Sequence, residues 1–556
     1  MLFPKSNKNR DVYNLNGVWK IKRVAEDYVP SEPVTDYNYM AVPASYNDIV
    51  TDKSFKNYVG KVLYEIEFSI PQREGLVYNL RLSAVSHQCD VYINGEYIGH
   101  GINGFVPVDF SLPLLKAKNR LSVVIDNRLT PHTFPAGRIV NGKQVIKHDF
   151  YNFTGIHRDV LVYSRPIRHI EDIVINTVVD NDYSKVSVNV LGEYDSVKYT
   201  VVDENDDIVY SGTDSVFKIE NVKLWNVGEP YLYTLIVETD IDIYEEKFGV
   251  RKVEVKGTQF LLNDKPVYFK GFGMHEDFFV LGRGASSAVN IRNFECLKWI
   301  KANSFRTSHY PYSEEIMDLA DKYGFLVIDE LPAAGMVLWE QSFGGPGADE
   351  VTLNIHKQLS KILYERDKNH PCVVMLSVSN EPACFETESD NYFKEITEYS
   401  RKYWQVPITI VDTWSADNSY ATKYVDVICV NRYIGWYNEH GQIDAIEGQL
   451  TKDLSDFYDK YSKPIILTEF GADTIEGLHM LPEETFSEEF QYEYVKENCR
   501  VLDKLDFVIG EHVWNFADFK TTETTSRIRG NRKGVFTKER QPKFVAHLLK
   551  ERWQNK

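Results

Sequence analysis

The chain has 556 residues, with 63 Lys and Arg against 81 Asp and Glu, a formal net charge of −18. So acidic a chain repels nucleic-acid phosphates at long range, and its 43 % hydrophobic and 26 % charged residues exclude disordered and fibrous classes. The length exceeds one usual core and requires several domains, while 13 % aromatic residues suit β-rich packing.

The N-terminus is polar by its seventh residue and lacks the apolar core of a signal peptide. No stretch reaches the roughly 18 uninterrupted apolar residues of a membrane span. Cys89, Cys296, Cys372, Cys384, Cys429 and Cys499 show no C-x-x-C spacing, so they read as buried thiols. The expectation is a cytoplasmic protein without a structural metal and without membrane or nucleic-acid partners.

From Trp19 to about Ser164 short alternating strands follow one another: Val62 to Ile70, Asn79 to Ala84, and Leu121 to Asn127. Asn94-Gly95 between the alternating runs of Val91 to Ile98 predicts a tight hairpin. Residues 1–165 therefore read as a β jelly-roll sandwich. A second β run over 166–255, with strands at Val186 to Leu191, Lys198 to Val202, Ile208 to Ser211 and Tyr231 to Thr239, reads as an immunoglobulin-like β-sandwich.

In 256–556 the pattern changes. Eight apolar runs, Val267 to Phe272, Ser304 to Thr307, Phe325 to Ile328, Val373 to Val378, Ile408 to Val411, Val427 to Val430, Ile465 to Leu467 and Phe507 to Val513, alternate with amphipathic helical segments. Near-continuous apolar strands mean a parallel sheet covered on both faces, and eight of them predict a closed (β/α)₈ TIM barrel. No G-x-G-x-x-G or phosphate loop points to nucleotide binding.

Barrel enzymes take their chemistry from the C-terminal ends of the strands. Here those ends carry His275-Glu276-Asp277, Arg306 to His309, Asp329-Glu330, Ser379-Asn380-Glu381-Pro382, Asn431-Arg432-Tyr433, Thr468-Glu469 and Trp514-Asn515. A lone strand-end glutamate is ordinarily a surface group or an ion-pair partner. Glu381 and Glu469, however, follow the fourth and seventh strands, which face each other across the mouth. Glycoside hydrolysis needs such a pair, one to protonate the leaving oxygen and one to attack or to activate water.

Six segments in order, Asn152-Phe-Thr-Gly-Ile-His-Arg158, Arg306-Thr-Ser-His-Tyr-Pro311, Ser379 to Pro382, Asn431-Arg-Tyr-Ile-Gly-Trp-Tyr437, Thr468-Glu-Phe-Gly471 and Trp514-Asn-Phe-Ala-Asp-Phe519, resemble glycoside hydrolase family 2 and, within it, the β-glucuronidase group. The resemblance implies an exo-acting retaining β-D-glucuronidase that hydrolyses small or oligosaccharide glucuronides by double displacement, with no cofactor. It also implies a homo-oligomer, tetramer or dimer. Glu381 would be the general acid/base, Glu469 the nucleophile and Tyr433 the tyrosine that orients it. Asn380 would bond the sugar 2-hydroxyl. Asn531 and Lys533 would grip the C6 carboxylate and Arg527 would contact the substrate, while Asp149, His275 and His309 would surround the hydroxyls and Tyr437 and Trp514 line the pocket. Physical chemistry adds that the acid needs a raised pKa while the nucleophile stays ionised.

Between Lys520 and Lys543 eight basic residues stand against two acidic ones, an excess of six positive charges that fits an anionic sugar. Phe343-Gly-Gly-Pro-Gly347 reads as a flexible link too short for an extended lid, which predicts an open site. Two other readings remain at this point: a family 2 β-galacturonidase or dual-specificity enzyme, and a catalytically inactive carbohydrate-binding protein.

Overall fold

Two antiparallel sheets build the first domain. Val12–Asn14, Val160–Pro166, Leu76–Leu82 and Val108–Ser111 form one, and Asn38–Val42, Gly17–Arg23, Lys61–Phe68, Asn119–Asp126, Gln88–Ile93 and Glu96–Ile102 form the other, each in that order. Trp19, Ile21, Val62, Tyr64, Leu80, Val123 and Val162 fill the space between them. The hairpin predicted at Asn94-Gly95 joins Gln88–Ile93 to Glu96–Ile102, and both turn residues have positive φ, 55° and 88°, which Asn and Gly tolerate. Two single-turn helices, Tyr46–Ile49 and Lys53–Lys56, have no counterpart in the sequence pattern. One turn is too short to display a 3.6-residue period.

The second domain packs Ile170–Asp180, Tyr183–Gly192 and Val216–Glu220 against Ile208–Gly212, Val197–Val202, Tyr233–Thr239 and Ile243–Phe248. Along Tyr183–Gly192 buried and more exposed residues alternate, as in a strand with one core face. The computed structural model of the chain describes residues 1–556 apart from 103, 181, 338–341 and 346–347.

The third domain is a closed parallel barrel of β1 (Phe269–Gly273), β2 (Ser304–Arg306), β3 (Leu326–Glu330), β4 (Val373–Asn380), β5 (Ile408–Asp412), β6 (Ile428–Asn431), β7 (Ile465–Glu469) and β8 (Val508–Val513). Phe272 lies beside Val513, which closes the ring. Every residue of β2 through β8 is buried, because side chains fill the interior and helices cover the outside. Those helices are α1 (Ser287–Trp299), α2 (Glu314–Tyr323), α3 (Glu350–Asp367), α4 (Ser389–Ser400), α5 (Ala445–Tyr461), α6 (Glu488–Leu502) and α7 (Val545–Asn555). Between β5 and β6 the described chain makes only the 3₁₀ turns Ala416–Asn418 and Thr422–Tyr424. Local chemistry sets several ends: the Asp349 side chain accepts from the Thr352 amide at the start of α3, and Gly324, at φ 72°, ends α2.

Buried ion pairs lock the domains together. Arg10 meets Asp242 of the second domain at 2.5 Å. Arg158, at the end of the 152–158 motif, donates to Glu276 at 3.0 Å and to the carbonyls of Phe105 and Pro311. The first domain is thereby fixed against the mouth of the barrel. Phe343 is fully buried against Tyr392 and Phe393, and the amides of Ser342 and Phe343 donate to the Glu386 carboxylate. The flexible link expected there is therefore anchored at Phe343; its Pro346 and Gly347 lie outside the described residues.

Candidate active site

A cavity of about 210 Å³ opens at the C-terminal ends of the strands, with Glu381, Glu469, Asn380, His309, Tyr433, Tyr437, Trp514, Arg527 and Asp149 among its walls. Glu381 directly follows β4 and takes φ 47°, a left-handed conformation that a side-chain-bearing residue adopts only where its surroundings impose it. Its amide donates to the carbonyl of Val411 at 2.8 Å, which pins the turn to β5. Glu469 is the last residue of β7.

The two carboxyls have different partners. Glu381 accepts one hydrogen bond, from Asn431 Nδ2 at 2.8 Å. Glu469 accepts from Tyr433 Oη at 2.6 Å and from Arg306 Nη2. Arg306 donates from its other terminal nitrogen to both oxygens of Glu330, at 2.9 and 2.7 Å, and to Asn380 Oδ1 at 3.1 Å. Because a guanidinium only donates, that contact makes the Asn380 oxygen its acceptor and leaves Nδ2 for another partner.

Burial raises both carboxyls, Glu469 up to about 8 against the pull of Arg306, and Glu381 upward against the Asn431 hydrogen bond. The upward shift expected of the acid is thus present on both carboxyls, which line one cavity. They titrate as a pair. A cation and a hydroxyl donate to Glu469 and only a single amide to Glu381, so the ionised form has more direct support at Glu469.

Asp149 reaches the mouth from the first domain. Phe150 packs against His309 and His275, and the Tyr151 amide donates to the Lys520 carbonyl at 3.0 Å, so the segment is held over the barrel. Asp149 then accepts from Arg527 Nε at 3.1 Å, Arg527 Nη2 at 2.6 Å and Asn531 Nδ2 at 2.9 Å. His309 bonds Glu330 through Nδ1 at 2.9 Å and stacks on Trp514. His275 stands behind this layer: it bonds Tyr310 Oη at 3.1 Å, packs on Phe519 and is not among the cavity walls. Burial pushes both imidazoles below the ordinary histidine range.

The positive segment is not a free patch. Lys533 is fully buried and paired with Asp473, and its Nζ donates to Tyr437 Oη at 2.9 Å. Arg527 pairs with Asp149 and Asp473, Lys520 with Asp48, Lys538 with Asp277 and Lys543 with Asp518. Carboxylates from other parts of the chain thus offset most of the local excess that the sequence displays.

With this geometry in view, the three parts of the chain match known domains: residues 14–166 the sugar binding domain of glycosyl hydrolases family 2, residues 168–251 the glycosyl hydrolases family 2 domain, and residues 253–556 the family's TIM barrel domain. The chain belongs to glycoside hydrolase family 2. A relative named β-glucuronidase from Paenibacillus borealis is 40 % identical over 586 aligned positions, covering 100 % of this chain and 98 % of the relative. The structure of an uncultured Clostridium sp. β-glucuronidase has a TM-score of 0.97 and 42 % identity, covering 100 % of both chains. A Ruminococcus gnavus β-glucuronidase in complex with uronic isofagomine has a TM-score of 0.95 and 36 % identity, covering 99 % of each chain.

For this family 2 member, sequence reasoning placed Arg306, Glu330 and Asn431 at strand ends without giving them a role, and it missed Asp473. Their position directly after apolar strands was the available signal for the first three. Asp473 lies four residues beyond Glu469 in an unpatterned loop and offered none. Among the described residues one His, Cys and Asp group is close enough to hold a cation: Asp321, His370 and Cys372. It lies at the opposite end of the barrel, where Asp321 already accepts from His370 Nδ1 at 2.6 Å and from the Cys372 amide at 2.9 Å. No helix among the described residues is long and apolar enough to cross a membrane.

Proposed function

We propose that this family 2 member is an exo-acting β-D-glucuronidase that cleaves β-D-glucuronides to glucuronic acid and a free aglycone with retention of configuration. One observation carries the reading: Arg527, backed by Lys533 and Asn531, opens onto the same cavity as Glu381 and Glu469. A pyranoside with its anomeric carbon between the two carboxyls then has fixed donors for a C6 carboxylate.

In the first step Glu469 attacks the anomeric carbon and Glu381 gives its proton to the departing glycosidic oxygen. In the second, Glu381 takes a proton from water, which attacks the same carbon and releases Glu469. Tyr433 and Arg306 hold the nucleophile in one orientation. Asn380, with Nδ2 unused by Arg306, donates to the sugar 2-hydroxyl, a bond that strengthens as the oxocarbenium-like transition state forms.

The buried, unpaired state of all six cysteines supports a reducing, cytoplasmic setting. A homo-oligomer, tetramer or dimer, fits the family, and light scattering measures it. Purified protein is expected to release 4-nitrophenol from its β-D-glucuronide far faster than from the β-D-galactoside or β-D-galacturonide. Equal rates on glucuronide and galactoside refute the uronic-acid reading; equal rates on the two uronides show dual specificity, and no release from any of them indicates a binding protein.

A further inference from the structure

Net positive charge does not explain how this site recognises a uronic acid, because the basic segment after β8 is largely paired. What remains is the placement of its donors, and placement traces to one buried carboxylate. Asp473 Oδ2 accepts from Lys533 Nζ and from Arg527 Nη1 at 3.0 Å, while Oδ1 accepts from the Arg532 amide at 2.7 Å. The Thr474 amide donates to the Arg532 carbonyl at 3.0 Å, so the β7 loop holds both the amide and the carbonyl of Arg532. Lys533 and Arg527 also converge on Tyr437 Oη, at 2.9 and 2.6 Å. Two cations directed at the same two oxygens repel one another unless an anion stands between them, and Asp473 is the buried anion in that position.

The loop is shaped for this. A Cβ added at Gly471 would lie 2.0 Å from the Trp514 carbonyl oxygen, so only glycine allows the β7 loop to approach the β8 loop closely enough for Asp473 to meet Lys533. Neither Glu381 nor Glu469 has Asp473 among its partners.

Resting on the glucuronidase reading, we propose that Asp473 is the positioning residue that sets selectivity for the C6 carboxylate. It holds Lys533 and Arg527 together as preorganised donors and leaves the bond-breaking carboxyls untouched. Selectivity then comes from fixed directions of N–H groups instead of from local charge.

The test compares 4-nitrophenyl β-D-glucuronide with its neutral C6 methyl ester in the wild type, Asp473→Asn and Asp473→Glu. In Asp473→Asn the ratio of kcat/KM between uronide and ester falls by about tenfold or more, mainly through KM for the uronide. Asp473→Glu, which keeps the charge on a longer stem, recovers part of the ratio. An equal fall on both substrates, or an unchanged ratio, overturns the proposal. If Asp473→Asn does not fold, Asp473→Glu decides alone: a lowered ratio supports the role and the wild-type ratio overturns it. Wild-type protein inactive on the uronide refutes the glucuronidase reading itself, an outcome distinct from an active wild type whose variants keep their selectivity.

Discussion

Arg306 donates to Glu469 from one terminal nitrogen and to Glu330 from the other, so one fully buried guanidinium joins the seventh strand of the barrel to the third. A planar fork does this; an ammonium on a flexible stem does not. Arg306→Lys keeps the charge and loses the bridge, and kcat is expected to fall about a hundredfold. The sign of the pH effect follows from the cation. Arg306 pulls the Glu469 carboxyl down, so weakening it raises that carboxyl further. Attack needs the ionised form, and the acidic limb of the pH profile therefore moves to higher pH. A limb that stays or moves down removes Arg306 from this role.

The two carboxyls separate by leaving group. Glu469→Gln removes the attacking oxygen and lowers turnover by at least about 10⁴-fold on every glucuronide, while binding of a glucuronide-like inhibitor persists in calorimetry. Glu381→Gln removes the proton donor, so aryl glucuronides with acidic phenols lose much less rate than alkyl glucuronides. An equal loss on both substrates contradicts the assignment of the acid.

Lys533→Ala deletes a buried ammonium that touches Asp473 and Tyr437. Glucuronide cleavage is expected to drop by about 10²-fold or more, with no gain on neutral β-glycosides, since a deleted cation does not create donors for a hydroxymethyl group. A variant that cleaves the galactoside better than the wild type speaks against the carboxylate clamp.

Far from the site, His370 and Asp321 make a partly buried pair at 2.6 Å. Burial opposes the imidazolium, yet Asp321 and the neighbouring carboxylates outweigh it and hold His370 up at about 10, above its ordinary 6.5. A pKa raised in the folded state contributes stability that is complete below about pH 6.5 and lost as the pH rises through about 10. Thermal unfolding from pH 6 to 10 measures this: the gap in Tm between wild type and His370→Gln narrows with rising pH. A constant gap shows that the pair is not ionised.

Local pattern carried much of the fold. Strand periodicity, the Asn94-Gly95 turn and the alternation of apolar runs with helices are short-range signals, and β2 through β8 lie within a few residues of the runs that predicted them. Glu381 and Glu469 were legible for the same reason: a polar residue that directly follows a buried parallel strand is placed at the barrel mouth by the strand itself.

Partnership was not legible, because electrostatics acts through space and sequence distance does not order it. Asp149 lies 378 residues from Arg527, and Asp473 lies 60 from Lys533, yet each pair shares hydrogen bonds. The surplus of positive charge after β8 suggested an attractive patch, and folding brings Asp48, Asp149, Asp277, Asp473 and Asp518 against it. By itself the sequence determined the three domains, the barrel and the carboxyl pair, all consequences of residue order along single strands. Only the tertiary structure decided which charges neutralise one another, because that pairing acts across space between residues far apart in the chain.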